Sequence, residues 1–305
     1  MIIDFHCHLL PNEAGQNRPV SFMQVEDYIS CQAENGVDLT VMSNAMIGSL
    51  PKVDIRTLDS IKRYHAFAAE WVNRYPQNLV AVACGVPFQG EEFLDEVYTA
   101  VKDYGFRGVM INSSFDGQYL DSPACYPFYD LMSELDLPVL LHPPGITLGT
   151  EHMCQYRLIE MVGRPWDTTL SLARMICSGV LEKYPRLKIV CAHLGGAITM
   201  LAGRLDYGYR LRAAKGFEPW GKDVLTRAPS EYIKMLYVDT VSFHLPALQC
   251  ALDTVGPEHV VFGTDFPPVN MPLQESIDLI ERLPVGEDIK KRIFCENAQN
   301  LLHLQ

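Results

Sequence analysis

Two histidines lie two residues apart near the start of the chain, in the segment Asp4-Phe5-His6-Cys7-His8. The segment continues an apolar run, and side chains alternate along a β-strand, so His6 and His8 should face one side. Phe5 and Cys7 should then face the surrounding helices. At about 3.3 Å per residue, the two imidazoles lie roughly 7 Å apart along the strand, close enough to share one metal ion. A solvated pair of histidines near a terminus is the alternative interpretation.

Three further residues of metal-binding type stand where later apolar runs end, namely His142, His193 and Asp265. A lone histidine after an apolar run is more often a core residue than a ligand. In a closed barrel of parallel strands, however, the carboxyl ends of the strands converge on one mouth. We therefore expect these side chains to meet the first histidine pair in a single pocket.

This set of side chains suits one divalent ion. Neutral imidazoles and one carboxylate favour Zn²⁺, with Mn²⁺, Fe²⁺ or Co²⁺ possible, and leave a position for water or substrate. We predict that the ligands are His6, His8, His142 and Asp265. His193 could also be a ligand, but an imidazole beside a metal-bound water is equally suited to move a proton at neutral pH. We assign His193 as the general acid/base, with Asp265 as the second catalytic residue.

Arginines near these segments could bind a substrate carboxylate through their planar guanidinium groups. Arg164 follows the fifth apolar run, and Arg204 and Arg212 follow the sixth. Each of them, taken singly, is more often a solvated residue or part of an ion pair between subunits. Trp166 could stack on a planar substrate, although ordinary packing is its commoner role. Asp239, which closes the seventh run, could orient an arginine or a histidine, or cap a helix.

Eight short apolar runs alternate with eight helical patterns, which is typical of parallel βα units. The runs are residues 2–5, 37–43, 79–83, 108–111, 139–142, 188–193, 235–239 and 260–264. The helical patterns are residues 25–35, 55–75, 91–104, 126–135, 168–184, 197–212, 245–255 and 273–283. This count predicts a (β/α)₈ TIM barrel that occupies residues 1–305 as one domain. Long loop insertions at 143–165 and 213–234 should lie at the mouth, where barrels build substrate pockets.

Composition restricts the partners. The chain has 25 Lys and Arg against 37 Asp and Glu, a net charge of −12, which is the wrong sign for neutralising nucleic-acid phosphates. The longest apolar stretch is about half of the roughly 20 residues that cross a bilayer. Nine cysteines without a CxxC pair suit reduced thiols. We expect a cytoplasmic protein with neither a nucleic-acid nor a membrane partner.

Several motifs together resemble the amidohydrolase superfamily, and within it the amidohydrolase-2 branch typified by 2-amino-3-carboxymuconate-6-semialdehyde decarboxylase. The resemblance rests on the opening Ile-Asp-Phe-His-Cys-His, on His142-Pro143, and on the segments 162–165, 182–188, 192–197 and 262–267. It covers nearly the whole chain. It departs before the second strand, where the branch has an arginine and this chain offers only Arg18.

The resemblance implies a barrel with one divalent metal, usually zinc, on the same four ligands, and His193 as acid/base. It further implies that Arg204 and Arg212 bind the substrate carboxylate, one of them reaching in from a neighbouring subunit of a homodimer. The branch performs non-oxidative decarboxylation or hydrolysis with one site.

The arginines and the match over 162–212 favour a decarboxylase of a small unsaturated or aromatic carboxylic acid. The alternative is a hydrolase of a lactone, an amide or a C–C bond in a ring-cleavage product. A non-catalytic metal-binding barrel is a third possibility, but it would not need an open metal position, an acid/base and long mouth loops together.

Overall fold

Parallel strands form the centre of the protein in the computed structural model, which describes residues 1–9, 24–44, 57–211, 224–267 and 271–304. The barrel strands are β1 (Ile3–His8), β2 (Leu39–Ser43), β3 (Leu79–Ala81), β4 (Ala83–Cys84), β5 (Val109–Asn112), β8 (Val139–His142), β9 (Ile189–Cys191), β10 (Tyr237–Asp239) and β11 (Val260–Val261). The short strands β6 (Ser114–Phe115) and β7 (Gln118–Tyr119) pair antiparallel outside it.

Backbone hydrogen bonds close the barrel at two joints between its sheets. One sheet has the order β1-β2-β3 and the other β11-β10-β9-β8-β5-β4. β3 and β4 are two pieces of one strand, and Val82 between them donates its N–H to the carbonyl of Met42. At the other joint, Phe5 donates its N–H to Phe262 at 2.8 Å. The predicted (β/α)₈ barrel is confirmed.

The prediction that Phe5 faces the helices is wrong. The pairing of β1 with β2 shifts between Asp4 and Cys7, so that two residues of β1 stand opposite Val41 alone. Such a bulge changes the side to which the following side chains point. Phe5 therefore packs inside the barrel with Met110 and other core residues, whereas Cys7 packs outward as expected.

Helices surround the strands and bury their apolar faces against them. Their bounds are α1 Val25–Glu34, α2 Leu58–Arg74, α3 Glu91–Lys102, α4 Tyr126–Leu135, α5 Arg164–Cys177, α6 Val180–Lys183, α7 Ala202–Leu211, α8 Pro229–Ile233, α9 Leu245–Val255, α10 Leu273–Glu281, α11 Glu287–Lys291 and α12 Asn297–Leu302. Short 3₁₀ turns lie at Pro123–Cys125, Thr150–His152, His193–Gly195 and Pro257–His259, and π turns at Ile159–Gly163 and Arg292–Glu296. None of the helices in the described ranges has the length and apolarity that a membrane crossing needs.

Several predicted boundaries move. The helix predicted over 168–184 begins earlier, at Arg164, and breaks into α5 and α6 at Gly179, whose φ of +83° suits glycine. The helix predicted over 197–212 begins only at Ala202. Of the predicted loop 213–234, residues 213–223 lie outside the described residues.

The sequence places His65 outside the strand ends, which predicts a surface or loop position, and this prediction is wrong. Its side chain is fully buried, its Nδ1 hydrogen-bonds to the Glu96 carboxylate at 2.7 Å, and its Nε2 accepts the Cys84 N–H at 2.9 Å. These partners come from α3 and β4, so the histidine joins three elements of the barrel wall.

Candidate active site

Four side chains converge at the carboxyl ends of the barrel strands. They are His6 and His8 at the end of β1, His142 at the end of β8, and Asp265 just beyond β11. All four are buried, and one ligand atom from each lies within 4.8 Å of the others. The Nε2 atoms of His6 and His8 are 3.0 Å apart, and Asp265 Oδ1 lies 2.9 Å from His8 Nε2. The structure thus brings together the whole predicted ligand set.

The other ring nitrogen of each histidine has an acceptor that fixes its tautomer. Nδ1 of His6 lies 2.6 Å from the Asp239 carboxylate, and Nδ1 of His142 lies 2.8 Å from the carbonyl of Pro143. Nδ1 of His8 lies 3.1 Å from Ser43 Oγ, which itself donates to the carbonyl of Cys7 and so accepts from the ring. With every Nδ1 protonated, every Nε2 offers a lone pair.

These lone pairs test whether the residues fit a metal ion. Two Nε2 lone pairs that face each other at 3.0 Å repel unless a cation or a proton lies between them. The Nε2 of His142 is buried and has no hydrogen-bond partner among the described residues. A buried lone pair of this kind is costly unless it binds a cation or accepts a hydrogen bond. Three imidazole nitrogens and one carboxylate oxygen form a suitable set for a divalent cation.

The electrostatics of the cluster agree with this fit. Burial lowers the pKa of His8 to about 4 and holds the pKa of His142 well below its usual range. Burial opposes charging of His6 as well, but neighbouring carboxylates, Asp265 first, outweigh it and raise the pKa of His6 to about 9. Burial would raise the pKa of Asp265, yet the surrounding imidazoles hold it well below the ordinary value. His8 and His142 are therefore neutral beside an ionised carboxylate, which are the charge states that metal ligands need.

His193 lies beside this cluster, directly after β9. Its Nε2 is 3.2 Å from Oδ2 of Asp265, while Oδ1 of that carboxylate faces His8. The ring centroid of His193 is 5.4 Å from those of His6 and His142. Its side chain is 16% exposed, against 5% for His6. This position suits a proton donor at the edge of the site.

Asp4 holds the two strands that carry the ligands, a role that the sequence reasoning missed. Its carboxylate accepts hydrogen bonds from the N–H of His6 at 3.2 Å, from the N–H of Thr264 at 3.1 Å and from the hydroxyl of Thr264 at 2.6 Å. The hydroxyl of Tyr28 adds a fourth bond at 3.2 Å. Burial raises the pKa of Asp4 to about 6. An aspartate inside an apolar opening strand was the available signal.

The start of α5 packs against the turn that follows His193. Arg164, at the first residue of α5, is half-buried, and Trp166 is 52% exposed. A side chain at Gly196, in the turn after β9, would meet the carbonyl of Pro165. The loop after β9 and the first turn of α5 are therefore in close contact.

Asp167, which sequence reasoning did not identify, anchors the first turn of α5. Its fully buried carboxylate accepts hydrogen bonds from the hydroxyls of Ser113, Ser114 and Tyr119, the last at 2.9 Å. The signal was the hydroxyl-rich segment after the fourth strand-like run.

Two further arginines, Arg204 and Arg212, were predicted to bind the substrate. Arg204 lies exposed on α7 and makes no hydrogen bond or ion pair with the five central side chains within the described residues. Arg212, like Arg18, lies outside the described residues. Their predicted contacts with a substrate stay predictions.

Comparison with known proteins gives a consistent result. A family model described as amidohydrolase matches residues 3–304. A 2-amino-3-carboxymuconate-6-semialdehyde decarboxylase of Dictyostelium discoideum is 30% identical, over 99% of this chain and 91% of its own length. A gamma-resorcylate decarboxylase of Polaromonas is 27% identical, over 89% of this chain and 85% of its own length.

A solved structure shares the fold. The dihydroxybenzoic acid decarboxylase of Polaromonas, with bound manganese and the inhibitor 2-nitroresorcinol, superposes with a TM-score of 0.84 at 22% identity. The match covers 99% of this chain and 97% of the other.

Proposed function

We propose, since this chain belongs to the amidohydrolase family, that it is a metal-dependent, non-oxidative decarboxylase of a small aromatic or unsaturated carboxylic acid. One observation carries the proposal: His193 stands 3.2 Å from Asp265 at the edge of a cluster of four convergent ligand side chains. The two decarboxylase relatives, which match over most of their length, support the same reaction.

His6, His8, His142 and Asp265 would hold one divalent cation. We propose Zn²⁺, because three nitrogens and one oxygen are a set that zinc favours, with Mn²⁺ as the alternative that the manganese-containing neighbour supports. The bound cation would act as a Lewis acid on the oxygens of the substrate. The paired Nδ1 atoms keep the three rings oriented toward it.

His193 would supply the proton that replaces the carboxylate. Nε2–H protonates the substrate carbon that bears the carboxylate, the C–C bond to that group breaks, and CO₂ leaves with the product carrying one new C–H bond. Before the transfer, the same Nε2–H donates to Asp265 Oδ2 at 3.2 Å, which holds the ring beside the cluster. The partly exposed ring then takes a proton back from solvent.

Arg164, Arg204 and Arg212 are proposed to bind the substrate carboxylate or a second acidic group, and Trp166 to pack on its planar part. Arg164 and Trp166 have the stronger structural support, because the turn that follows His193 contacts the first turn of α5. Carboxylate recognition by a guanidinium group is bidentate and therefore selective.

At the level of the whole chain, we propose one barrel domain, a homodimer and a cytoplasmic location. The apolar side chains Ile146, Tyr156 and Met161 of the segment after β8, and Met200 and Tyr207 further along, are more than half exposed, which supports a partner subunit that covers some of them. Nine free cysteines, five of them buried, suit a reducing compartment. Light scattering on purified protein tests the dimer.

The activity is tested with a panel of aromatic and unsaturated carboxylic acids. Protein purified without chelator and assayed for metal by elemental analysis should contain about one ion per chain and release CO₂ from at least one acid. His193→Ala protein with the same metal content is the control and should release almost none. Uptake of water without CO₂ from lactones, amides or enoates would replace the decarboxylase with a hydrolase or a hydratase.

A further inference from the structure

Asp239 contacts two separate parts of the site. It ends β10, is 1% exposed, and accepts four hydrogen bonds. Oδ2 accepts hydrogen bonds from Nδ1–H of His6 at 2.6 Å and from the backbone N–H of His193 at 3.1 Å. Oδ1 accepts from the backbone N–H groups of Leu194 and Val241, each at 3.1 Å. A carboxylate has about four acceptor positions, so this one is fully used.

The other two histidines of the cluster have acceptors that hold one ring only. His8 uses the hydroxyl of Ser43, and His142 uses the carbonyl of Pro143. Neither acceptor contacts the turn after β9 through a hydrogen bond in the described part of the chain. Asp239 differs because the same oxygen that orients His6 also accepts the His193 N–H.

The turn that Asp239 holds needs an external partner. His193 and Leu194 have φ of +55° and +56°, a left-handed conformation that side-chain-bearing residues adopt at a cost. Gly195 and Gly196 follow with φ of +71° and +67°. The two N–H groups at the unfavourable positions are the ones that point to Asp239, so its charge stabilises the backbone from which the His193 ring projects.

We propose that Asp239 is a positioning residue that sets two things at once: the tautomer of the metal-facing His6 and the left-handed turn that places the His193 ring. The first part concerns metal affinity and is independent of the reaction. The second part rests on the proposed function, in which His193 moves a proton.

The first test measures metal affinity by competition between the apoprotein and a chromogenic chelator, with Zn²⁺ alone as the probe. Asp239→Asn keeps the volume but removes the charge and leaves one accepting oxygen for four donors, so the hydrogen bond that orients His6 weakens. We expect the Kd to rise by about 10–100-fold. Ser43→Ala is the matched control, since it removes the partner of His8, and it should weaken binding by a similar factor. Wild-type affinity in Asp239→Asn would overturn the first part.

The second test measures amide hydrogen exchange in the metal-free proteins. In Asp239→Asn, the amides of His193 and Leu194 should exchange at least about tenfold faster than in the wild type, while those of β9 stay protected. In Ser43→Ala, the same two amides should exchange as in the wild type. Equal exchange in Asp239→Asn and wild type would overturn the second part, whatever reaction the enzyme performs.

The third test separates positioning from metal loss. At a Zn²⁺ concentration that saturates each variant, Asp239→Asn should lower kcat by at least about tenfold with little change in KM, since the misplaced group is the proton donor. In the Asp239→Asn background, His193→Ala should lower kcat by a smaller factor than it does in the wild type, because both changes disable one function. Full recovery of kcat by zinc, or strictly additive losses, would contradict the role in placing His193.

Folding is checked by circular dichroism before each test. If Asp239→Asn does not fold, Asp239→Ser, whose hydroxyl can still accept from one of the four donors, replaces it in all three measurements. If neither variant folds, Asp239 is a residue of general stability and the proposal is wrong.

Discussion

At the scale of single residues, the site depends on which nitrogen of each ring faces inward. Acceptors outside the cluster accept hydrogen bonds from the Nδ1–H groups of His6, His8 and His142. This leaves three Nε2 lone pairs directed at one point. The convergence of the four side chains was predictable because each ends an apolar run, and parallel strands bring such ends together. Their acceptors were harder to predict, since Ser43, Asp239 and the carbonyl of Pro143 become neighbours only after the barrel closes.

Removal of the His193 imidazole should separate metal binding from turnover. His193→Ala keeps the four ligands and should retain about one ion per chain by elemental analysis. Its kcat should fall by roughly 10²–10⁴-fold, the usual contribution of general acid/base catalysis. Loss of the metal instead would make His193 a ligand.

His65 is expected to matter for stability and not for metal binding. His65→Ala leaves the Glu96 carboxylate and the Cys84 N–H without their buried partner, and it should lower the free energy of unfolding by about 1–3 kcal/mol or more. Urea denaturation measures the change. The control His152→Ala removes an exposed side chain and should stay within about 0.5 kcal/mol of the wild type. Equal stability of the two variants would contradict the buried contact. The sequence could not place His65 because its partners come from distant elements.

At the scale of elements, the contact between the turn after β9 and the start of α5 links His193 to Arg164 and Trp166, the residues proposed to bind the substrate. The sequence predicted both elements, but it set the start of α5 at residue 168, four residues late, because Arg164-Pro165 resembles a loop. Proline is favoured in the first turn of a helix, where its missing N–H costs nothing. The bulge in β1 was likewise hidden, since strict alternation placed Phe5 on the wrong side.

Gly196→Ala tests this contact. A Cβ at Gly196 would lie 2.2 Å from the carbonyl of Pro165, at a φ of +67° that alanine disfavours. We expect a higher KM for the acidic substrate and a loss of about 1–3 kcal/mol of stability. Gly203→Ala, in α7, meets nothing within 4 Å and should be neutral or slightly stabilising. Unchanged kinetics in Gly196→Ala would show that substrate binding does not depend on the contact between the turn after β9 and the start of α5.

At the scale of the whole molecule, the barrel was predictable from the alternation of apolar runs and helical patterns, and its closure was not. The joint between β11 and β1 depends on the bond from Phe5 to Phe262 and on the pairing of Cys7 with Phe266, contacts between residues about 260 positions apart. One consequence is that the proposed ligands come from both ends of the chain. Binding of a metal to His6 and Asp265 would therefore tie the first strand to the last.

Chelation should accordingly lower the stability of the entire barrel. A ligand that binds only the folded state adds about 2.7 kcal/mol at a hundred times its Kd. Calorimetry on protein treated with a chelator should show a Tm lower by several degrees, and added Zn²⁺ should restore it. Asp265→Ala should have a Tm that hardly responds to chelator. A wild-type Tm that is indifferent to chelator would mean that the four side chains bind no ion.

The most direct measurement for the central claim follows the proton. Metal-loaded protein is incubated in D₂O, and in parallel in ¹⁸O-labelled water, with each compound of the panel that it turns over, and the products are analysed by mass spectrometry and NMR. Decarboxylation with His193 as the donor predicts one equivalent of CO₂ and one deuterium on the carbon that carried the carboxylate. Chelation or His193→Ala should abolish both. A product that retains its carboxylate and gains oxygen from ¹⁸O-labelled water would contradict the account and make the enzyme a hydrolase or a hydratase.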